Sequence, residues 1–109
     1  MKWKIVYSAL ALEDLKSIYE YIAFELLEPG IAAKQVKRIM DSINNLDEMP
    51  MMYKSYEFEP WKSKGLRIFH TDNYVILYLP KEDVQTVNIV RIMYGGRDIR
   101  KQLEETEIS

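Results

Sequence analysis

The sequence predicts an α+β fold, an antiparallel β-sheet covered by an N-terminal α-helical hairpin, in the order β-α-α-β-β-β-α and as one domain over residues 1–109. Three observations carry that prediction. Apolar residues recur at three- and four-residue steps from Leu12 to Leu46, interrupted once at Pro29-Gly30. Two β-rich runs, Leu66 to Thr71 and Tyr74 to Leu79, flank Asp72-Asn73, a two-residue hairpin signal. A third run, Val84 to Tyr94, stops at Gly95-Gly96 and hands over to a short polar helix.

Taken in order, Trp3-Lys4-Ile5-Val6-Tyr7 is short and rich in β-formers, and reads as the first strand. Ser8 stands where an N-cap belongs, with Glu13 and Asp14 near the positive end of the helix that follows. Leu12, Leu15, Ile18, Tyr19, Ile22 and Leu26 form its apolar stripe, which leaves Asp14, Ser17, Tyr21 and Glu25 on the other face. Pro29-Gly30 breaks this helix. A second starts near Ile31 and buries Ala32, Val36, Ile39, Met40, Ile43 and Leu46, while Lys34, Lys37 and Arg38 face outward. Met49-Pro50 ends it, and the short link makes the two helices an antiparallel hairpin.

From Met51 to Ser63 the aromatic residues Tyr53, Tyr56, Phe58 and Trp61 follow no period, and a loop, a helical turn and the start of a strand all fit. Glu57 and Glu59 are interleaved with them, which suits a cover for the core better than a platform for stacking bases. Pro80-Lys81-Glu82-Asp83 then turns the chain into its last strand.

Composition narrows the chemistry. The chain has no cysteine, which excludes disulfides, thiolate metal sites and a cysteine nucleophile. Its one histidine, His70, excludes most zinc sites and any two-histidine mechanism, so no metal and no cofactor are expected. No stretch approaches the roughly 20 apolar residues of a membrane span, and the expected setting is the cytoplasm, with no membrane partner. The net charge of −2 argues against a general nucleic-acid binder. Its distribution says more: residues 61–101 carry 8 basic and 4 acidic side chains, whereas residues 1–60 carry 7 and 10. Such a pattern suits a local anionic partner better than a long phosphate backbone.

The most informative stretch is VNIVRIMYGGRDIRKQL, from Val87 to Leu103. A diglycine gives the backbone access to φ > 0, and Arg91, Arg97, Arg100 and Lys101 cluster about it, either as a guanidinium fork for a carboxylate or phosphate or as a solvated helix start with one structural ion pair. Tyr94 beside it is either a packing aromatic or a phenolic donor. The hairpin register tests the other candidates. With Thr71 opposite Tyr74, Phe69 faces Ile76, Arg67 faces Tyr78 and His70 faces Val75. Arg67 therefore shares a side with Phe69, Ile76 and Tyr78, and His70 shares the other with Leu66, Ile68, Val75, Leu77 and Leu79. Arg67 and His70 do not serve one site unless a bulge intervenes. A guanidinium in mid-strand needs a partner: either a helix carboxylate, or a target reached at the sheet edge.

With these elements placed, the chain resembles the RelE/ParE superfamily of type II toxins over nearly its whole length. Tyr7-Ser8, Ala11, Asp14-Leu15, Ile18 and Tyr21-Ile22 look like its strand-to-helix opening. Gly65-Leu66-Arg67, Asn73-Tyr74 and Tyr78 are similar to its central hairpin, and Arg91-Ile92-Met93-Tyr94-Gly95-Gly96-Arg97-Asp98 resembles the last strand of ParE-like members.

The resemblance implies a growth-inhibiting toxin of a plasmid-stabilisation (toxin–antitoxin) system, bound by a cognate antitoxin as a dimer or heterotetramer. The antitoxin would use a partly disordered segment that folds as it binds, with Lys34, Lys37 and Arg38 among its contacts. It also implies one of two targets. ParE-like members poison DNA gyrase, and here Arg91, Tyr94, Arg97, Arg100 and Lys101 would contact it. RelE-like members cut mRNA on the ribosome without metal, and here the catalytic group would be Arg97, His70 and Arg67. The RNA-cutting pattern is poorly met: Val75 follows Tyr74 where an Arg is usual, Leu66 and Ile68 replace alternating basic residues, and the C-terminal Tyr falls near Leu103. Metal-free phosphoryl transfer needs several preorganised cations or donors. The ParE-like reading is therefore preferred.

Overall fold

The computed structural model describes residues 2–106. Its elements are β1 (Lys4–Tyr7), α1 (Ala9–Glu20), α2 (Pro29–Asn44), α3 (Trp61–Lys64), β2 (Arg67–Thr71), β3 (Tyr74–Lys81), β4 (Thr86–Tyr94) and α4 (Ile99–Glu104). The expected α+β order is present, with α3 as an added turn of helix inside the stretch whose conformation was open.

Ser8 caps α1 as its sequence position predicts: its Oγ accepts from Ala11 N at 3.0 Å and donates to Val90 O at 2.9 Å, which ties the helix start to β4. The apolar stripe of α1 differs from expectation. Ala11, Leu15, Ile22 and Ala23 are buried, while Leu12, Tyr19 and Leu26 are exposed. One cause is a π-turn over Tyr21–Glu25, where Leu26 N donates to Tyr21 O five residues back. The wider turn moves Leu26 off the inward face. The second helix begins at Pro29 rather than Ile31, because proline at the first helical position gives up an N–H that has no partner there. Its buried stripe of Ala32, Ile39 and Ile43, continued by Leu46, is as predicted.

The sheet order is β1-β4-β3-β2. The β2–β3 register is the predicted one, from Arg67 opposite Tyr78 to Thr71 opposite Tyr74, with Asp72 at φ 53° in the turn. β3 and β4 are antiparallel too, with a register shift that leaves Val90 without a partner on β3. The N-terminal strand departs from a wholly antiparallel sheet: β1 runs parallel to β4, Lys4 beside Thr86 through Tyr7 beside Ile89. Nothing local in a four-residue strand encodes this pairing.

Both faces of the sheet are covered. On one, Phe69, Ile76, Tyr78, Val87, Ile89 and Ile92 pack under Ala11, Leu15, Ile39, Ile43 and Leu46 of the helical hairpin. The other side was not expected to carry a layer. There Leu66, Ile68, Val75, Leu77, Leu79, Val90 and Met93 lie beneath Tyr56, Trp61, Ile99 and Leu103. The aromatic stretch therefore does cover a core. It also runs along the outer edge of β2, where Tyr56 N donates to Leu66 O and Ile68 N to Lys54 O, so that edge is paired.

Candidate functional site

Where β1 ends and the chain turns into α1, the edge of β4 loses its neighbour. Asp14 occupies that edge. Its Oδ2 accepts from Ile92 N at 2.9 Å and from Arg91 Nε at 2.8 Å, and its Oδ1 accepts from Arg91 Nη2 at 2.9 Å. Arg91 Nη1 donates to Thr106 Oγ1 at 3.0 Å, beyond the end of α4. The bidentate bond to Asp14 holds the Arg91 guanidinium above its usual range against the opposing effect of burial. Arg91 was expected to contact a target, and Asp14 to face outward. Arg91 is instead buried and fully engaged, because a strand edge without a partner strand needs an acceptor and the acceptor's charge needs a cation.

Beyond that pair a groove of about 650 Å³ opens between the hairpin and the ends of the central strands. Asp14, Ser17, Ile18, Tyr21, Ile22, Leu26 and Ile31 line it from the helices, and Tyr74, Ile92, Met93, Tyr94 and Arg97 line it from the sheet. Tyr94 is half-exposed and meets Tyr74 edge-on, with ring centroids 6.0 Å apart. The Tyr74 hydroxyl is pushed up by burial first and then by the nearby Tyr94, Asp72 and Tyr21.

The diglycine shapes this rim by its lack of side chains rather than by left-handed backbone, since neither Gly95 nor Gly96 has a positive φ. A Cβ on Gly96 would stand 2.7 Å from Tyr94 Cε2, and one on Gly95 would stand 3.2 Å from Asn73 O. Gly95 N donates to that carbonyl at 2.8 Å, which locks the strand end onto the β2–β3 turn.

The remaining candidates are dispersed. His70 is exposed on the far face of β2, and Arg67 is on the hairpin face, as the register requires. The Arg67 guanidinium takes neither of the expected partners: its Nη1 donates to Tyr53 O at 2.6 Å and so holds the loop that follows α2. Beside it, Tyr78 Oη donates to Pro50 O at 2.9 Å, and burial pushes its hydroxyl up to about 12. Arg100 lies over the Phe58 ring, 4.7 Å from its centroid, which fastens α4 to the aromatic loop. Lys101 is exposed in the first turn of α4, whose N-cap Asp98 accepts from Lys101 N. On α2, Lys34, Lys37 and Arg38 are exposed as predicted. Lys37 pairs with Asp41, and Arg38 joins Gln35 on the Asp72 carboxylate, which these bonds hold below the usual range.

Of the residues singled out by sequence, the structure brings Tyr94 and Arg97 together. Tyr21, Tyr74, Leu26 and Ile31 beside them read as parts of their own elements but not as members of one site, since their grouping depends on where the hairpin tip meets the sheet. Among the described residues there is no cluster of three His, Asp or Glu able to hold a metal, and no helix is long and apolar enough to cross a membrane.

The sequence matches, over residues 5–99, the family described as ParE toxin of type II toxin–antitoxin system, parDE. No curated protein matches it significantly. Among solved structures, the chromosomal ParDE system of Pseudomonas aeruginosa is similar at TM-score 0.68 and 21% identity, covering 85% of this chain and 96% of that one. The RelBE2 toxin–antitoxin complex of Mycobacterium tuberculosis is similar at 0.61 and 19%, covering 86% and 99%. A mutant of the Escherichia coli toxin RelE in its free state is similar at 0.65 and 8%, covering 97% and 94%.

Proposed function

This chain belongs to the ParE-toxin family of type II toxin–antitoxin systems, and we propose that it arrests growth by acting on DNA gyrase without cutting RNA. The observation that carries this reading is the state of the sheet face opposite the helical hairpin. The positions where the RNA-cutting pattern has basic residues are Leu66 and Ile68, both buried. They lie under Trp61, Tyr56 and Leu103, so the sheet itself presents no cation there, and the exposed Lys62 and Arg100 belong to the layer that covers it. His70 and Arg67 lie on opposite faces, and Arg67 is bonded to a loop carbonyl. That leaves Arg97 alone as a charge stabiliser, a poor supply for metal-free phosphoryl transfer.

The exposed determinants at the strand end are then Tyr94, Arg97 and Lys101, with Arg100 behind them on Phe58. Tyrosine and arginine around an apolar floor are the composition of protein-binding hot spots, which suits a protein target. The toxin acts as one domain in the cytoplasm and is neutralised by a cognate antitoxin, with which it assembles as a heterotetramer or a smaller complex. Exposed apolar residues of the hairpin and the α2 ridge of Lys34, Lys37 and Arg38 serve that contact.

The test is to induce the chain alone and follow DNA and mRNA together. Trapped gyrase cleavage complexes and a DNA-damage response support the reading. Rapid cleavage of mRNA within translated codons, with DNA intact, overturns it in favour of a ribosome-dependent ribonuclease.

A further inference from the structure

Three of the six methionines of this chain fall within one four-residue turn, Met49-Pro50-Met51-Met52. All three stand in water, at 58%, 42% and 48% exposure, while the proline between them is buried. Methionine belongs to the residue types most often buried, and Met93 in the sheet, at 2%, is the ordinary case. Three thioethers side by side on the surface are a departure from it, and neither the core nor the Tyr94–Arg97 rim uses them.

The turn that carries them is held in place. Met52 N donates to Met49 O at 3.2 Å, which closes the turn and brings its first and last Cα atoms within about 7 Å. From the inner side Tyr78 Oη donates to Pro50 O at 2.9 Å, and Arg67 Nη1 donates to Tyr53 O at 2.6 Å. The backbone is thereby fixed, while each sulfur sits near the end of an unbranched stem with three rotatable bonds. Such side chains converge on one point without any rearrangement of the chain, so little backbone order has to be created when they do.

We propose that Met49, Met51 and Met52 form a three-thioether site for a soft monovalent cation, Cu(I), with Ag(I) as its redox-stable equivalent. A thioether is a neutral, polarisable donor with no proton to lose, which selects soft ions over the hard and borderline ones that carboxylates and imidazoles hold. The surroundings agree with that choice. The chain has no cysteine to draw a soft ion elsewhere, and its one imidazole, His70, lies on the other face of β2 from Arg67 and the turn. Glu48, just before the turn, meets Lys2 only at 3.9 Å, so its exposed carboxylate is at hand to balance the charge that neutral sulfurs leave on the ion. The turn is also remote from the rim: Asp47 O accepts from Trp3 N, where β1 and β4 begin, whereas Tyr94 and Arg97 stand where β4 ends. An ion held there leaves the rim open, and the site stands whatever the toxin's target.

NMR of the full chain, carbon-13 labelled at its methionine methyl groups and titrated with silver nitrate in chloride-free buffer, tests the site. One equivalent should shift the methyl signals of Met49, Met51 and Met52 together and leave that of the buried Met93 in place. The shifts should persist below the imidazole range of pH, since a thioether takes up no proton there, and zinc or magnesium ions should not produce them. Under anaerobic conditions, with Cu(I) shared between the protein and a coloured chelator, replacing all three methionines by leucine should weaken binding by about tenfold or more. Leucine matches methionine in volume, and the sites are exposed, so the fold should be unaffected. Methyl signals that stay put at one equivalent overturn the proposal, and so does a shift confined to one of the three, which marks a single adventitious contact. Binding within about twofold of the parent in the leucine variant also overturns it, placing the ion on other groups.

Discussion

Arg91 and Asp14 stand 77 residues apart in sequence and form a two-point fork across the edge of β4, at 2.8 and 2.9 Å. Through it the first helix, the last strand and the segment after the last helix share one anchor, because Arg91 also donates to Thr106 and Asp14 also accepts from Ile92 N. Their side chains are 10% and 14% exposed, so either charge left alone is a desolvated charge.

Asp14→Ala should therefore destabilise the fold by about 3–5 kcal/mol, leaving a buried guanidinium and an orphaned strand N–H. Arg91→Leu combined with Asp14→Leu should cost clearly less than the two single changes added together. Urea unfolding of the parent, Asp14→Ala, the two single leucine variants and the double variant measures both quantities. Additive losses would show that the two residues do not act as a pair.

Alkaline stability reports on Tyr78. Its hydroxyl donates to Pro50 O, and its folded value lies near 12, above the ordinary 10. A proton held more tightly in the folded state stabilises fully below the unfolded value. That contribution fades as pH rises from about 10 towards 12. Tyr78→Phe should cost about 1 kcal/mol at neutral pH. It should also flatten the fall in stability across that alkaline window. A variant with the same alkaline slope as the parent would place the titration on another group.

Gly96→Ala tests what the diglycine is for. The new Cβ meets the Tyr94 ring at 2.7 Å, and the ring is at the surface and free to swing. Stability should change by less than about 1 kcal/mol, while Tyr94 leaves its edge-on contact with Tyr74. The ring-current shifts of both tyrosines by NMR are the readout, with toxicity falling alongside. A large loss of stability would mean that the glycine serves the backbone instead.

His70→Ala should leave toxicity almost intact, since the imidazole is exposed and faces away from the Tyr94–Arg97 rim. Arg97→Ala should weaken it. Growth arrest on induction of each variant is sufficient to decide, and loss of toxicity in the histidine variant would revive an acid–base role.

Reversing Lys34, Lys37 and Arg38 to Glu should slow association with the antitoxin, most strongly at low salt, with a smaller effect on dissociation. Stopped-flow traces at two ionic strengths measure this. An unchanged association rate would place the antitoxin's approach elsewhere. Two of the three side chains already have surface partners, Asp41 and Asp72, and such exposed pairs exchange at little cost.

Much of this protein was legible from residues in order. The cap at Ser8, the buried stripe of α2 and the full β2–β3 register rest on spacing and on a two-residue turn, which are local properties of the chain. The register alone separated Arg67 from His70, because neighbours along a strand point to opposite sides. What lay beyond reach depends on contacts between distant segments. A parallel β1 beside β4 left a bare strand edge, and that edge called Asp14 and Arg91 inward from positions that read as solvent-facing and target-facing. A π-turn at the end of α1 turned Leu26 outward, and the aromatic stretch with α4 closed the second face of the sheet. Spacing determined which residues form each element and which way most of them point; only the packing of those elements decided which charges are consumed inside and which, like Arg97, remain for a partner.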